Sequence, residues 1–174
     1  MLIHIRKDLT KVTTCILIHS FITSKLDNMN SLYYGITEKL LDKLQQIQNT
    51  AARLITGTKR RDHITPVLAD LHWLPIRYRI RYKIILLAFK CQHSLAPPYL
   101  CDLLKSYQPT RSPRSSTAHL LDIPRVRTMA GKRRFSTAAP ILWNNLPEHL
   151  RNCHDLNQFR LNLKTILYKE AFDS

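Results

Sequence analysis

Glu38-Lys-Leu-Leu-Asp-Lys-Leu-Gln-Gln-Ile-Gln-Asn-Thr-Ala-Ala-Arg-Leu-Ile-Thr56 is the stretch whose reading decides the fold. Leu40, Leu44, Ile47, Ala51, Leu54 and Ile55 recur at three- and four-residue spacing, so they share one stripe of a helix, while Asp42, Gln45, Asn49 and Arg53 face away. Thr37 precedes it as an N-cap, and Gly57 follows where a left-handed C-terminal cap belongs. Toward the N-terminus, Leu9, Val12, Ile16, Leu17, Ile18, Phe21, Ile22 and Leu26 spread around most of a second helix, which predicts burial on most sides. Asp27 to Ser31 reads as a turn, closed by Gly35.

Toward the C-terminus, Gly57 to His63 is a polar, basic loop. Thr65-Pro66 reads as an N-cap with proline at the first helical position. Trp73-Leu74-Pro75 then opens a helix over 76–93, striped by Ile76, Ile80, Ile84, Leu87 and Cys91. Ile84 to Phe89 is apolar on nearly every side and predicts burial; before it, Arg77, Arg79, Arg81 and Lys83 alternate with Tyr78, Ile80 and Tyr82. Pro97-Pro98 starts a short helix through Leu104. Tyr107 to Thr117 is rich in Ser, Pro and Arg and reads as an exposed loop. His119 to Val126 has room for one extended segment, which Pro124 confines to an edge. Helices are predicted over 134–144 and 156–171; the latter has Asp155 and Gln158 in capping-box positions and Leu156, Phe159, Leu163, Ile166 and Leu167 on its inner face.

Three glycines in 174 residues leave little for the tight turns of sheet-rich folds. The expected fold is mostly α, a compact helical domain of about six to eight helices with a basic irregular segment near 105–134. The regions 1–104, 105–134 and 135–174 read as parts of one domain.

Charge is the strongest compositional signal: 27 Lys+Arg against 12 Asp+Glu, a formal +15. Residues 53–90 hold nine basic and two acidic side chains, residues 105–134 eight and one, and the remainder sums to +1. Clustered Lys and Arg attract polyanions, so RNA or DNA is the expected partner, bound through its phosphate backbone. Three constellations carry the expectation: Lys59, Arg60 and Arg61; Arg77, Arg79, Arg81 and Lys83 with Tyr78 and Tyr82 as base-stacking candidates; and Arg125, Arg127, Lys132, Arg133 and Arg134. Arg111 and Arg114 add charge to the Ser/Pro loop.

Other classes fare poorly. Cys15, Cys91, Cys101 and Cys153 form no C-x-x-C pair, and Cys91-x-His93 lacks a second half, so no metal or other cofactor is expected. His63 and His72 share no zinc-like spacing with Cys91. No serine sits in a nucleophile-elbow context. The longest apolar stretch, Cys15 to Ile22, is far too short for a bilayer. Nothing reads as a signal peptide or a small-molecule site, which leaves an intracellular protein, nuclear or cytoplasmic, not secreted and with no membrane partner. Trp73 and Trp143, flanked by Leu71, Leu74, Leu142 and Leu146, read as core anchors.

The order of short motifs carries a resemblance. Ser24-Lys-Leu-Asp27, Asn30-Ser31, Tyr34-Gly35, Leu44-Gln45, Gln48-Asn49 and Ala51-Ala52-Arg53-Leu54 come first. Asp62-His-Ile-Thr-Pro66, Leu71-His-Trp-Leu-Pro75, Arg79-Ile80, Tyr82-Lys-Ile84, Ala96-Pro97 and Tyr99-Leu100 follow. Arg114-Ser-Ser116, Phe135-Ser136, Ala139-Pro140, Leu142-Trp-Asn144, Leu146-Pro147, Phe159, Leu163-Lys164 and Leu167 complete the series. It resembles the C-terminal region, beyond fingers and palm, of LINE-type (non-LTR) retrotransposon reverse transcriptases of the jockey-like kind, along about residues 3–172. Two positions depart from that pattern: Asn28 stands where the family has an aromatic, and Lys132 where it has an acidic residue.

The resemblance implies an origin in an enzyme that performs target-primed reverse transcription. Its chemistry needs paired palm aspartates for two metal ions; this chain has no Asp-Asp pair and no endonuclease-like array of acids and histidines. The expectation is therefore a non-enzymatic C-terminal fragment that binds template–primer or target DNA. The alternatives are a module docking on the reverse transcriptase core, which an exposed apolar patch on the first helix would mark, and a non-functional relic of the element.

Overall fold

The computed structural model of the chain describes residues 10–108 and 119–173. These residues are mostly helical, and among them no strand forms. The helices are α1 (Lys11–Ile18), α2 (Ser24–Asp27), α3 (Glu38–Thr56), α4 (Thr65–Asp70), α5 (Ile76–Gln92), α6 (Pro98–Cys101), α7 (Met129–Arg133), α8 (Phe135–Asn144), α9 (Glu148–Arg151) and α10 (Leu156–Phe172). A π-helical turn, His19–Thr23, joins α1 to α2, and a 3-10 turn spans Asn30–Tyr33. Among the described residues no helix is long and apolar enough to cross a membrane.

The chain divides into two compact units, one holding the described residues up to Arg79 with those from Tyr168 onward, the other Ile80–Leu167. Both divisions fall inside helices, α5 and α10, and neither at the basic segment near 105–134.

In the first unit Ile18, Ala51, Ala52, Ile55, Leu68 and Trp73 form the buried cluster, with Ile22, Leu54, Val67 and Phe172 packed against it. α3 is the long element expected from its periodicity. Gly57 closes it at φ 81°, donating its N–H to Arg53 O; Thr37 contributes its carbonyl but no side-chain cap. The covered face of α3 is Gln48, Ala51, Ala52 and Ile55. Leu40 and Ile47, assigned by spacing to the inner stripe, are exposed. The small side chains of Ala51 and Ala52 turn the contact face toward themselves. At α4 the N-cap is Ile64, so Pro66 is the second helical residue.

The first helix departs from expectation. Thr10 caps it, its hydroxyl accepting from Thr13 N at 3.2 Å. The helix then widens into the π turn, where Ser20 Oγ donates to Ile16 O and Ser24 Oγ to Ser20 O, competing with the i to i−4 ladder. Thr14, Ile18 and Thr23 are buried, but Val12, Ile16 and Phe21 are 69%, 59% and 59% exposed. The helix is not buried around its circumference: its exposed residues mix Val12, Ile16 and Phe21 with Lys11, Thr13, His19 and Ser20. Phe21, five residues beyond Ile16, lies in the widened turn itself.

In the second unit Ile84, Ile85, Ala88 and Phe89 of α5 are buried, while Leu86 and Leu87 between them are half-buried, so the stretch Ile84 to Phe89 is covered on one side and not all round. Phe89 stacks on Phe159 with ring centroids 4.1 Å apart, and Trp143 lies 5.9 Å from Phe159. Asn144 holds Leu121 by both backbone groups, accepting from its N–H at 2.9 Å and donating to its carbonyl at 2.8 Å. Trp143 Nε1 donates to His119 O at 2.7 Å. The extended segment expected after His119 thus reduces to one antiparallel bridge, Ser106 to Leu121. Gln158 N donates to Asp155 Oδ2 at the start of α10, while the Gln158 side chain turns to Asn162, so half of the capping box forms. Both tryptophans are core residues.

Candidate nucleic-acid interface

The loop after α3 is built to hold its shape. Arg53 Nη1 donates to Lys59 O at 3.1 Å and to Asp62 O at 3.2 Å, Nη2 donates to Asp62 O at 3.0 Å, and the Asp62 carboxylate accepts from Lys59 N. The one arginine expected to face away from the helix thus binds the loop backbone. Lys59, Arg60 and Arg61 are left exposed, and none is ion-paired to a described residue. Three positive charges on a backbone fixed from behind can meet phosphates with little ordering cost.

The second basic set stands on the segment leading into α8. Arg125, Arg127, Lys132, Arg133 and Arg134 are all exposed and likewise outside the ion pairs of the described residues. Thr128 Oγ1 accepts from Gly131 N at 3.0 Å and caps α7. Gly131 is buried, and a Cβ there would lie 3.0 Å from Thr128 Oγ1 and 3.1 Å from Val126 Cβ, so a larger residue would have to press the Thr128 hydroxyl and Val126 back by a few tenths of an ångström. Lys132 and Arg133 follow in the last turn of α7, and Arg134 is the N-cap of α8. Arg111 and Arg114 lie outside the described residues.

The basic face of α5 is not a uniform row. Arg77 is exposed and ion-paired to Glu38. Arg79 donates to Asp27 at 2.8 Å with its side chain 17% exposed; burial lowers its pKa, and Asp27 works against that fall. Arg81 and Lys83 are half-buried, as are Tyr78 and Tyr82. Tyr78 Oη donates to Glu170 O at 3.0 Å, which anchors its ring. Of this candidate set, then, Arg79 holds the fold together and Arg77 stands at the surface. The carboxylates responsible, Asp27 and Glu38, lie 52 and 39 positions away, beyond any local pattern.

His63 and His72 are exposed, and Cys91 is buried in the other unit. Among the described residues no group of three or more His, Cys, Asp or Glu side chains is arranged to hold a metal ion. His93 does meet His154 edge-on at 5.7 Å and Phe89 at 4.2 Å. Sequence reasoning also missed a cleft of about 330 Å³ in the first unit, between the outward side of α3, the start of α4 and Pro75 to Tyr78. Its signal was present but unread: Asp42, Gln45 and Asn49 are polar side chains at helical spacing.

Compared with protein-family models, curated proteins and solved structures, the chain matches none.

Proposed function

We propose that the chain corresponds to the C-terminal, post-palm region of a LINE-type reverse transcriptase and works as a non-catalytic, intracellular domain that binds the phosphate backbone of RNA or DNA. The observation that carries this reading is eight exposed basic side chains without an ion-pair partner among the described residues: Lys59, Arg60 and Arg61 in one unit, Arg125, Arg127, Lys132, Arg133 and Arg134 in the other. Each unit therefore carries its own phosphate-binding set, and sequence-independent affinity follows from counterion release. The test is titration of a single-stranded RNA and a primer–template duplex across a salt series. The logarithm of the affinity for RNA should fall linearly with that of the salt concentration, with a slope of roughly −2 to −5, since each phosphate contact on a single strand contributes about −0.7. A folded chain that binds neither ligand at low salt overturns the reading.

One observation favours a second role, docking on the polymerase core. Val12, Ile16 and Phe21 are three large apolar side chains exposed within ten residues, the kind of side chain that a partner covers. Replacing the three by serine should weaken association with the polymerase core and leave RNA affinity unchanged. Unaltered association would exclude this role.

A further inference from the structure

Cys91 and Cys101 lie in the second unit, ten positions apart, on consecutive helices. Cys91 is buried near the C-terminus of α5, and Cys101 is the half-buried last residue of α6. The connection between them is tight. Ser94 takes a left-handed φ of 55°, Leu95 N donates to Lys90 O at 2.7 Å and Ser94 N donates to Cys91 O at 3.3 Å, which closes α5 and turns the chain. Pro97 and Pro98 then open α6. Neither cysteine is in a disulfide.

The two thiols form a short relay of hydrogen bonds. Cys101 Sγ donates to Ala96 O at 3.5 Å, which leaves its sulfur lone pairs to accept. The Cys91 S–H donates to that sulfur, and burial first, then this contact, keeps Cys91 protonated. A disulfide brings the sulfurs to about 2.05 Å, a short step for thiols already in hydrogen-bond contact. The side that can take the step is α6, a helix of four residues. Leu95, Pro97, Pro98 and Tyr99, the residues around its start, are exposed, so a small shift of α6 uncovers little core. Cys153, by contrast, is engaged with its own chain, its Sγ donating to Asp155 O at 3.3 Å.

We propose that Cys91 and Cys101 are a site of reversible oxidation by peroxides, closing into an intrachain disulfide that fastens α6 to α5. Cys101, the more exposed of the two, is the sulfur that a peroxide reaches. Its sulfur attacks one peroxide oxygen, the O–O bond breaks, the thiol proton leaves with the departing hydroxide as water, and Cys101 becomes a sulfenic acid. The Cys91 sulfur then attacks the Cys101 sulfur. The S–O bond breaks, and the Cys91 proton joins the leaving hydroxide as a second water. Two thiols are thus oxidised by two electrons in all, and one hydrogen peroxide is reduced to two waters. A thiol reductant reverses the bond by exchange, as is usual for the transient disulfides of reducing compartments. The fastening reaches further than α6. Lys105 O accepts from Asp122 N at 2.8 Å and Tyr107 N donates to Leu120 O at 2.9 Å, so the backbone directly after α6 holds the segment that leads to Arg125.

The sequence makes the test direct, because no Lys or Arg lies between Lys90 and Lys105 and trypsin therefore releases both cysteines in one peptide. The folded chain is treated with hydrogen peroxide, its remaining thiols are alkylated under denaturing conditions, and the digest is weighed. The peptide from Cys91 to Lys105 should appear unalkylated and lighter by two hydrogen atoms, and should return to the doubly alkylated form when a reductant precedes alkylation. Cys15 and Cys153 should stay alkylated. The oxidised chain should melt higher by roughly 5 °C, the gain expected of a cross-link over a short loop. Cys91→Ala removes the resolving thiol and should leave a sulfenic acid at Cys101 that dimedone labels, whereas the wild type labels weakly there. Double alkylation of the peptide after peroxide, or a link from either cysteine to Cys15 or Cys153, overturns the site. A linked chain that melts no higher overturns the fastening, and a Cys91→Ala chain without label at Cys101 overturns the order of attack.

Discussion

Asp27 and Arg79, separated by 52 positions, meet at 2.8 Å, the Arg79 Nη1 donating to Asp27 Oδ1. The guanidinium side is the more deeply buried of the two, at 17% against 45% exposure. Removing the carboxylate leaves a mostly buried cation without its acceptor, which costs more than the pair itself contributes. Asp27→Ala should lower unfolding free energy by roughly 1–3 kcal/mol, a partly exposed pair standing below the fully buried case. Replacing both residues by apolar ones should recover part of the loss. Chemical denaturation checks this; an unchanged midpoint for Asp27→Ala would show that the pair is only a surface contact.

The same distinction predicts a division among the basic residues. Neutralising Lys59, Arg60 and Arg61 together should flatten the salt slope of RNA binding by about 2 and leave the melting temperature nearly unchanged, since these side chains support nothing in the fold. Arg79→Gln should do the reverse, lowering stability with little change in the slope. Paired measurements of melting and salt-dependent binding decide it; a triple variant that melts early would place the loop side chains in the fold.

His93 supplies a pH dependence. Burial is the main cause that holds its pKa below the ordinary imidazole value, and His154 and then His119 push the same way, against a backbone hydrogen bond at Cys153. The unfolded chain, with a histidine pKa of about 6.5, therefore takes up a proton that the folded chain resists. Stability from this residue is complete above about pH 6.5 and is lost as pH falls below it. Denaturation midpoints at pH 7.5 and 5.5 should differ more for the wild type than for His93→Gln. An identical pH response in the variant would discount the histidine contact.

Cys91 supplies a reactivity. Burial, and then the neighbouring Cys101 thiol, push its pKa up to about 12. The thiolate is the reactive form, so at pH 8.5 Cys91 in the folded chain should alkylate on the order of a hundredfold or more slowly than an exposed model thiol, and at the ordinary rate after denaturation. Peptide mapping after timed iodoacetamide treatment reads this directly. Equal rates before and after denaturation would mean that the C-terminal part of α5 opens readily.

What the sequence made legible and what it hid separate along physical lines. α3, α10, the apolar half of α5 and both tryptophan anchors rest on three- and four-residue periodicity and on local caps, which are written in neighbouring residues. Which side of a helix is covered is decided by other elements, so Val12 and Leu40 could match an inner stripe and still stand in solvent. In the candidate interface, Arg77 and Arg79 are the same residue type in the same helix, and only the distant Asp27 makes one of them structural. Several short motifs behind the family resemblance are halves of such distant contacts: Gln48 Nε2 donates to Leu74 O at 2.9 Å, and Arg53 grips the loop at Asp62. Their order along the chain was readable, whereas their pairing required the fold.

The π turn over His19–Thr23 sets the rotational phase of everything after it. A regular helix turns about 100° per residue, so losing one residue from this turn would let the ladder close as ordinary α-helix. Ser24 to Asp27 would then keep its place along the axis with its carboxylate still aimed at Arg79. Losing one residue from the regular turns of α1 offers no such slack and would swing Asp27 off its partner. The widened turn is thus where the N-terminal helix can absorb a one-codon deletion, and the turns before it are where it cannot.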